Sequence, residues 1–233
     1  MKTISRIFPL ILAAALMPIT IARGEEAKPV PPTGKMGFVR LVAAVAQGSG
    51  TLKIKIDGSD INPTGYNLGD VTGGLGLKAG THEVTISREG TEEGTTKVKV
   101  ENDDTTILIP FAEKVPASDE KPAYWAIRIL RLKQLDVPEG KTASFVSVSQ
   151  TPELKVEMRD PEGKWTPVYV KRLAVAKAAI TYPRGYVPLK SKDGNIESIP
   201  VAQEGNYVVL LYDDKDGKVQ SLNFQDQKFL SAD

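Results

Sequence analysis

One histidine, no cysteine and a scatter of carboxylates are the chemistry-bearing residues of this chain. His82 lies in Leu77-Lys78-Ala79-Gly80-Thr81-His82-Glu83-Val84-Thr85-Ile86-Ser87, in phase with Val84 and Ile86. A general base at a strand start would need a positioned partner, and the sequence identifies none, so His82 reads as a strand-end histidine at the rim of a core. Without cysteine there is no thiol nucleophile and no thiolate metal ligand, and a single histidine excludes a multi-histidine site within one chain. Asp213-Asp214-Lys215-Asp216-Gly217 carries part of the spacing of a calcium loop. Tyr212 stands where the first acidic ligand belongs, however, and no glutamate follows at the required distance, so a charged hairpin turn is expected. Gly74-Leu75-Gly76-Leu77-Lys78-Ala79-Gly80 is glycine-rich but runs into an alternating strand with no Gly-Lys-Ser/Thr, which is a turn and not a phosphate loop. No serine has a Gly-x-Ser-x-Gly context, and no carboxylate pair stands out. The expectation is therefore no catalytic residue, no metal and no cofactor.

Tyr182-Pro183-Arg184-Gly185-Tyr186 is the most suggestive local cluster. Aromatic rings stack on sugar faces, and an arginine reaches an acidic group, so Tyr182, Arg184 and Tyr186 are candidate ligand-binding residues, with Trp165 joining them across the fold. The competing reading makes the same residues core or turn anchors.

The elements that must position these residues read as strands throughout. Gly37 to Ala46 is a short, valine-rich run buried on much of both faces. Leu52, Ile54 and Ile56 alternate with Lys53, Lys55 and Asp57, and Leu154, Val156 and Met158 repeat that plan against Lys155, Glu157 and Arg159. Ser59 to Gly76 is loop-like. Lys171 to Tyr182 is compatible with a short alanine-containing helix, but its β-rich surroundings favour a strand. Asp-Gly pairs in Lys192-Asp193-Gly194-Asn195 and in Asp213 to Gly217 predict hairpins. The halves are not a clean repeat: Leu52 and Leu154 match at an offset of 102, but Gly80 and Gly205 match at 125.

Lys2 and Arg6 precede an uncharged run of 15 residues, Ile7 to Ile21, and then Ala22-Arg23-Gly24. This predicts a secretory signal over residues 1–24, cleaved near Gly24; retention as an anchor is the alternative, but the run is short for a membrane span. Residues 25–35, with Pro29, Pro31 and Pro32, read as a proline-rich linker. The expected organisation is a first β-sandwich over 36–111, a second linker over 112–122 and a second β-sandwich over 123–230. With 30 Lys+Arg against 29 Asp+Glu the chain has no field for nucleic acid. No membrane span is expected after signal cleavage, and the product would be periplasmic or extracellular, held by its cores without disulfides.

Val39-Arg40-Leu41-Val42-Ala43-Ala44, Leu52 to Gly58 and Leu77 to Val84 together resemble an exported bacterial immunoglobulin-like β-sandwich family of unknown function, in which a Val-Arg strand precedes an Asp-Gly strand end and a Pro/Lys-Ala-Gly turn. The resemblance covers residues 37 to 111. A looser similarity is to the periplasmic accessory proteins of alginate O-acetylation, which combine a signal peptide with two small β domains; that resemblance implies a role in assisting polysaccharide modification or export without catalysis. The expected fold class is thus all-β, two immunoglobulin-like antiparallel sandwiches in tandem. The expected role is a non-catalytic envelope binding or accessory protein, partnered by polysaccharide or an envelope protein. The alternatives are a carbohydrate-binding module and a component of an acyltransferase or hydrolase system.

Overall fold

β-Branched residues at alternate positions pack well on a pleated surface, and every regular element among the described residues is a strand. The computed structural model describes residues 36–134 and 139–229. The signal and first-linker expectations, residues 1–24 and 25–35, lie outside the described residues. The first eight strands are β1 (Met36–Leu41), β2 (Ser49–Ile56), β3 (Ser59–Asp60), β4 (Leu75–Lys78), β5 (Gly80–Glu89), β6 (Gly94–Val100), β7 (Thr105–Val115) and β8 (Tyr124–Lys133). Then come β9 (Lys141–Ser147), β10 (Glu153–Arg159), β11 (Trp165–Lys171), β12 (Val175–Ala179) and β13 (Gly185–Val187). The last are β14 (Leu189–Lys190), β15 (Gly194–Asn195), β16 (Ile199–Val201), β17 (Gly205–Asp213) and β18 (Val219–Asp226).

Their ladders give four main sheets, β3-β2-β5-β6, β4-β1-β7-β8, β12-β9-β17-β18-β15 and β11-β10-β14, with a β13-β16 ribbon. The fold is all-β, but the pairing is not antiparallel throughout. β1 runs parallel to β7, β9 to β17 and β15 to β18. No hairpin joins these partners, and the strands of the first two pairs are largely buried on both faces, the condition under which parallel pairing is found.

Three apolar clusters lie between the sheets. One joins Leu52, Ile54, Val84, Ile86 and Val98 of β3-β2-β5-β6 to Val39, Leu41, Leu108 and Ile127 of β4-β1-β7-β8. Another joins Leu154, Val156 and Val170 to Phe145, Tyr207, Val209 and Leu211. The third lies between the two inner sheets and holds Val42, Ala44, Ile107, Ile109 and Phe111 with Val146, Val148, Val208, Leu210 and Phe224. Alternate residues of β17 therefore enter different cores, Tyr207, Val209 and Leu211 on one side and Val208 and Leu210 on the other. This is why β17 and the run from Val39 to Ala46 lack the polar alternation of a one-sided strand.

Two segments differ from the sequence expectation. Ala112 to Val115, read as the start of the 112–122 linker, is strand; β7 pairs with β8 up to Val115 opposite Tyr124, so the segment is a hairpin. β8, assigned from sequence to the second sandwich, thereby belongs to the sheet of β1 and β7. Lys192 to Asn195 is not a hairpin: β14 pairs with β10, and β15 pairs in parallel with β18. Gly194 serves close approach instead of a turn, since a Cβ there would stand 1.9 Å from the Val219 carbonyl oxygen. The Asp213 to Gly217 hairpin forms between β17 and β18, with the Asp214 carboxylate accepting from the Asp216 and Lys218 amides.

Candidate functional site

The sole histidine is a clamp. Nδ1 of His82 on β5 lies 2.7 Å from Oδ2 of Asp57, and Nε2 lies 2.8 Å from the Lys78 carbonyl oxygen. A carboxylate and a carbonyl can only accept, so the two contacts are satisfied together when both ring nitrogens carry protons, which favours the imidazolium. The bond to Asp57, and then that to Lys78, raise the His82 pKa above its ordinary value. The Asp57 carboxyl is correspondingly lowered, first by His82 and then by the Glu83 amide. The pair ties the β2 end to the turn between β4 and β5, a partner the sequence did not reveal because Asp57 lies 25 residues away.

The four sequence candidates have separate partners, and no contact joins them among the described residues. Trp165 opens β11, and Lys190 Nζ lies 4.1 Å from its ring centroid, with the Arg159 guanidinium 6.0 Å away, so cations of this chain already sit on the indole. Tyr182 is half-buried against the core and its hydroxyl donates to the Asp160 carbonyl at 3.0 Å. It is an anchor. Arg184 is exposed and donates from Nε to the Ala202 carbonyl at 3.4 Å. Tyr186 pairs with Pro200 across the β13-β16 ribbon and is 71% exposed, the most open large apolar side chain among the described residues. Only Tyr182 of the four lines the principal groove.

That groove, about 610 Å³, runs between β11 and β12, where the chain crosses from one sheet to another. Val168, Met158, Ile180 and Val187 form its apolar floor, and Ala176 and Ala178 of β12 give it width. Arg159 and Lys177 stand at its rim with Asp160. One oxygen of the Asp160 carboxylate accepts from the Lys164 amide at 2.7 Å. Sequence reading placed a strand here but missed the site. The available signal was small alanines at alternate positions where the neighbouring strands carry valine and leucine. A second recess, about 620 Å³, is lined by Gln203, Glu204, Gln225 and neighbours whose amides already bond one another.

No family model matches the chain, and no curated protein matches it. Among solved structures it has a distant similarity to the Bacillus anthracis TIE protein, at 11% identity and a TM-score of 0.24, over 77% of this chain and 50% of that one. The chain thus spans about half the length of that protein.

Proposed function

We propose that this chain is an exported, non-catalytic binding or accessory protein of the bacterial cell envelope, built from two immunoglobulin-like units and taking its ligand in the groove between β11 and β12. The groove carries the proposal: it is apolar at its floor, has Lys177 and Asp160 at its rim and is flanked by exposed apolar side chains. Tyr169, Leu173 and Val175, on or between these two strands, are three of the five exposed large apolar residues among the described ones. The immunoglobulin-like reading draws support from Tyr207 near the start of β17, whose hydroxyl donates to the Gln203 carbonyl at 2.6 Å, the geometry of a tyrosine corner. The binding role draws support from His82, whose nitrogens are both engaged in structure.

A second reading, a saccharide face, rests on the exposed ring of Tyr186, two residues along the chain from the exposed Arg184. The two are separated by measuring binding to an array of envelope polysaccharides and synthetic peptides with the full chain, Ala178→Trp and Tyr186→Ala. Filling the groove with Ala178→Trp is expected to abolish binding while Tyr186→Ala leaves it intact. The opposite pattern moves the site to the β13-β16 ribbon. Thermal midpoints of both variants establish that they remain folded.

A further inference from the structure

The groove has two strand edges, and they are not equivalent. Asp160 N donates to Lys164 O and Arg172 N to Pro152 O, which fixes the even-numbered residues of β11 as hydrogen-bonded to β10. The backbone of Trp165, Pro167, Tyr169 and Lys171 therefore points to the free edge, and Pro167 breaks its row of donors. On β12 the bond from Ile180 N to Lys141 O sets the same alternation, leaving Val175, Lys177 and Ala179 with outward N–H and C=O groups. β12 has a ladder with β9 alone, and no hydrogen bond among the described residues reaches those outward groups of Lys177 and Ala179. A blunted edge thus faces an open one across an apolar trough.

From this asymmetry we propose that β12 takes up an extended acidic polypeptide segment as an added strand. The inference rests on the groove reading above and names its occupant. Unpaired backbone groups on a strand edge are matched by another extended backbone, in the manner of β-augmentation. Side chains of the added strand alternate, so one set falls beside Ala176 and Ala178, into the space over Val168 and Met158, and requires apolar groups. The other set falls on the face of β12 that carries Lys177, which has no carboxylate ion pair among the described residues, and so carries Asp or Glu. A second copy of this chain is the poorer occupant: antiparallel self-pairing centred on Lys177 would set two lysines directly opposite.

The test uses the full chain and a fluorescently labelled, end-blocked Glu-Val-Glu-Val-Glu-Val-Glu-Val peptide, with the Lys-Val analogue as charge control. Binding by anisotropy is expected to be saturable for the Glu-Val peptide, with slowed amide exchange at Lys177 and Ala179. Ala179→Pro removes an outward donor without touching the β9 ladder, and Lys177→Glu reverses the rim charge. Each is expected to weaken the Glu-Val peptide by about tenfold or more, and Lys177→Glu to favour the Lys-Val peptide. Failure of the peptide to bind, or binding indifferent to Ala179→Pro, overturns the inference. So does a concentration-dependent dimer that protects β12 amides without peptide. If the peptide fails while Ala178→Trp still abolishes binding of an array polysaccharide, the inference falls and the groove stands. If Ala178→Trp alters no binding at all, both fall.

Discussion

His82 and Asp57 make a pH-dependent contribution whose window follows from opposite shifts. The His82 pKa is raised in the folded state, so its contribution is complete below the ordinary histidine value, about 6.5, and is lost as pH rises through the folded value. The Asp57 pKa is lowered, so its contribution is complete above the ordinary aspartate value, about 3.9, and is lost as pH falls through the folded value. The clamp therefore acts fully between about pH 4 and 6.5. His82→Gln is expected to lower the thermal midpoint most in that window and to converge on the parent at alkaline pH; a pH-independent difference would assign His82 a packing role alone. The sequence placed His82 at a strand start on the rim of a core, and that much was legible from its phase with Val84 and Ile86. Its partner was not, because only the pairing of β2 with β5, Ile56 opposite Val84, brings Asp57 beside it.

Strands were legible wherever local periodicity determined them, as in β2, β5 and β10, and hairpins wherever a turn joined ladder neighbours, as at Asp213 to Gly217. Partners distant in sequence were not legible, and Gly194 shows why. An Asp-Gly pair predicts a two-residue turn, yet the same glycine satisfies a different need, contact with the β18 backbone. That difference is testable by comparing two glycines. Gly194→Ala drives a methyl group against the Val219 carbonyl and is expected to destabilise the protein by about 1–3 kcal/mol, as overpacking does. Gly73→Ala, where nothing lies within 4 Å of a new Cβ and φ is not positive, is the control and is expected to be neutral or slightly stabilising. Equal midpoints in urea unfolding for the two variants would remove close approach as the reason for Gly194. Topology also settles the repeat. β2 and β10 are each flanked on both sides in an outer sheet, consistent with the Leu52 and Leu154 match. Gly205, however, opens β17, which lies beside β9 as β7 lies beside β1, so it is not the counterpart of Gly80 on β5.

At the scale of the whole molecule, the third core changes how the halves respond to unfolding. The described residues belong to a single compact unit, and Ile107, Ile109 and Phe111 from β7 share an apolar cluster with Val208 and Leu210 from β17. Polar ties cross the same boundary: Arg40 donates through Nη1 to the Gln225 carbonyl at 2.7 Å and lies over the Phe224 ring, and Arg172 Nη2 lies 2.6 Å from Glu113 Oε1. Burial pulls the Glu113 carboxyl upward, but Arg172 and Arg128 outweigh it and hold it below the ordinary range. Sandwiches joined by a linker would melt separately; sheets sharing a buried cluster melt together. The chain has two tryptophans, Trp125 on β8 and Trp165 on β11, one for each half. With Trp165→Phe and Trp125→Phe variants as single-tryptophan reporters, both probes are expected to give the same denaturant midpoint. Leu210 is fully buried in the shared cluster, so Leu210→Ala should remove about 2–5 kcal/mol and shift the two midpoints by equal amounts. A shift confined to Trp165 would mean that the β7 face of the cluster remains folded without its partner, and that cooperativity stops at the boundary between the inner sheets.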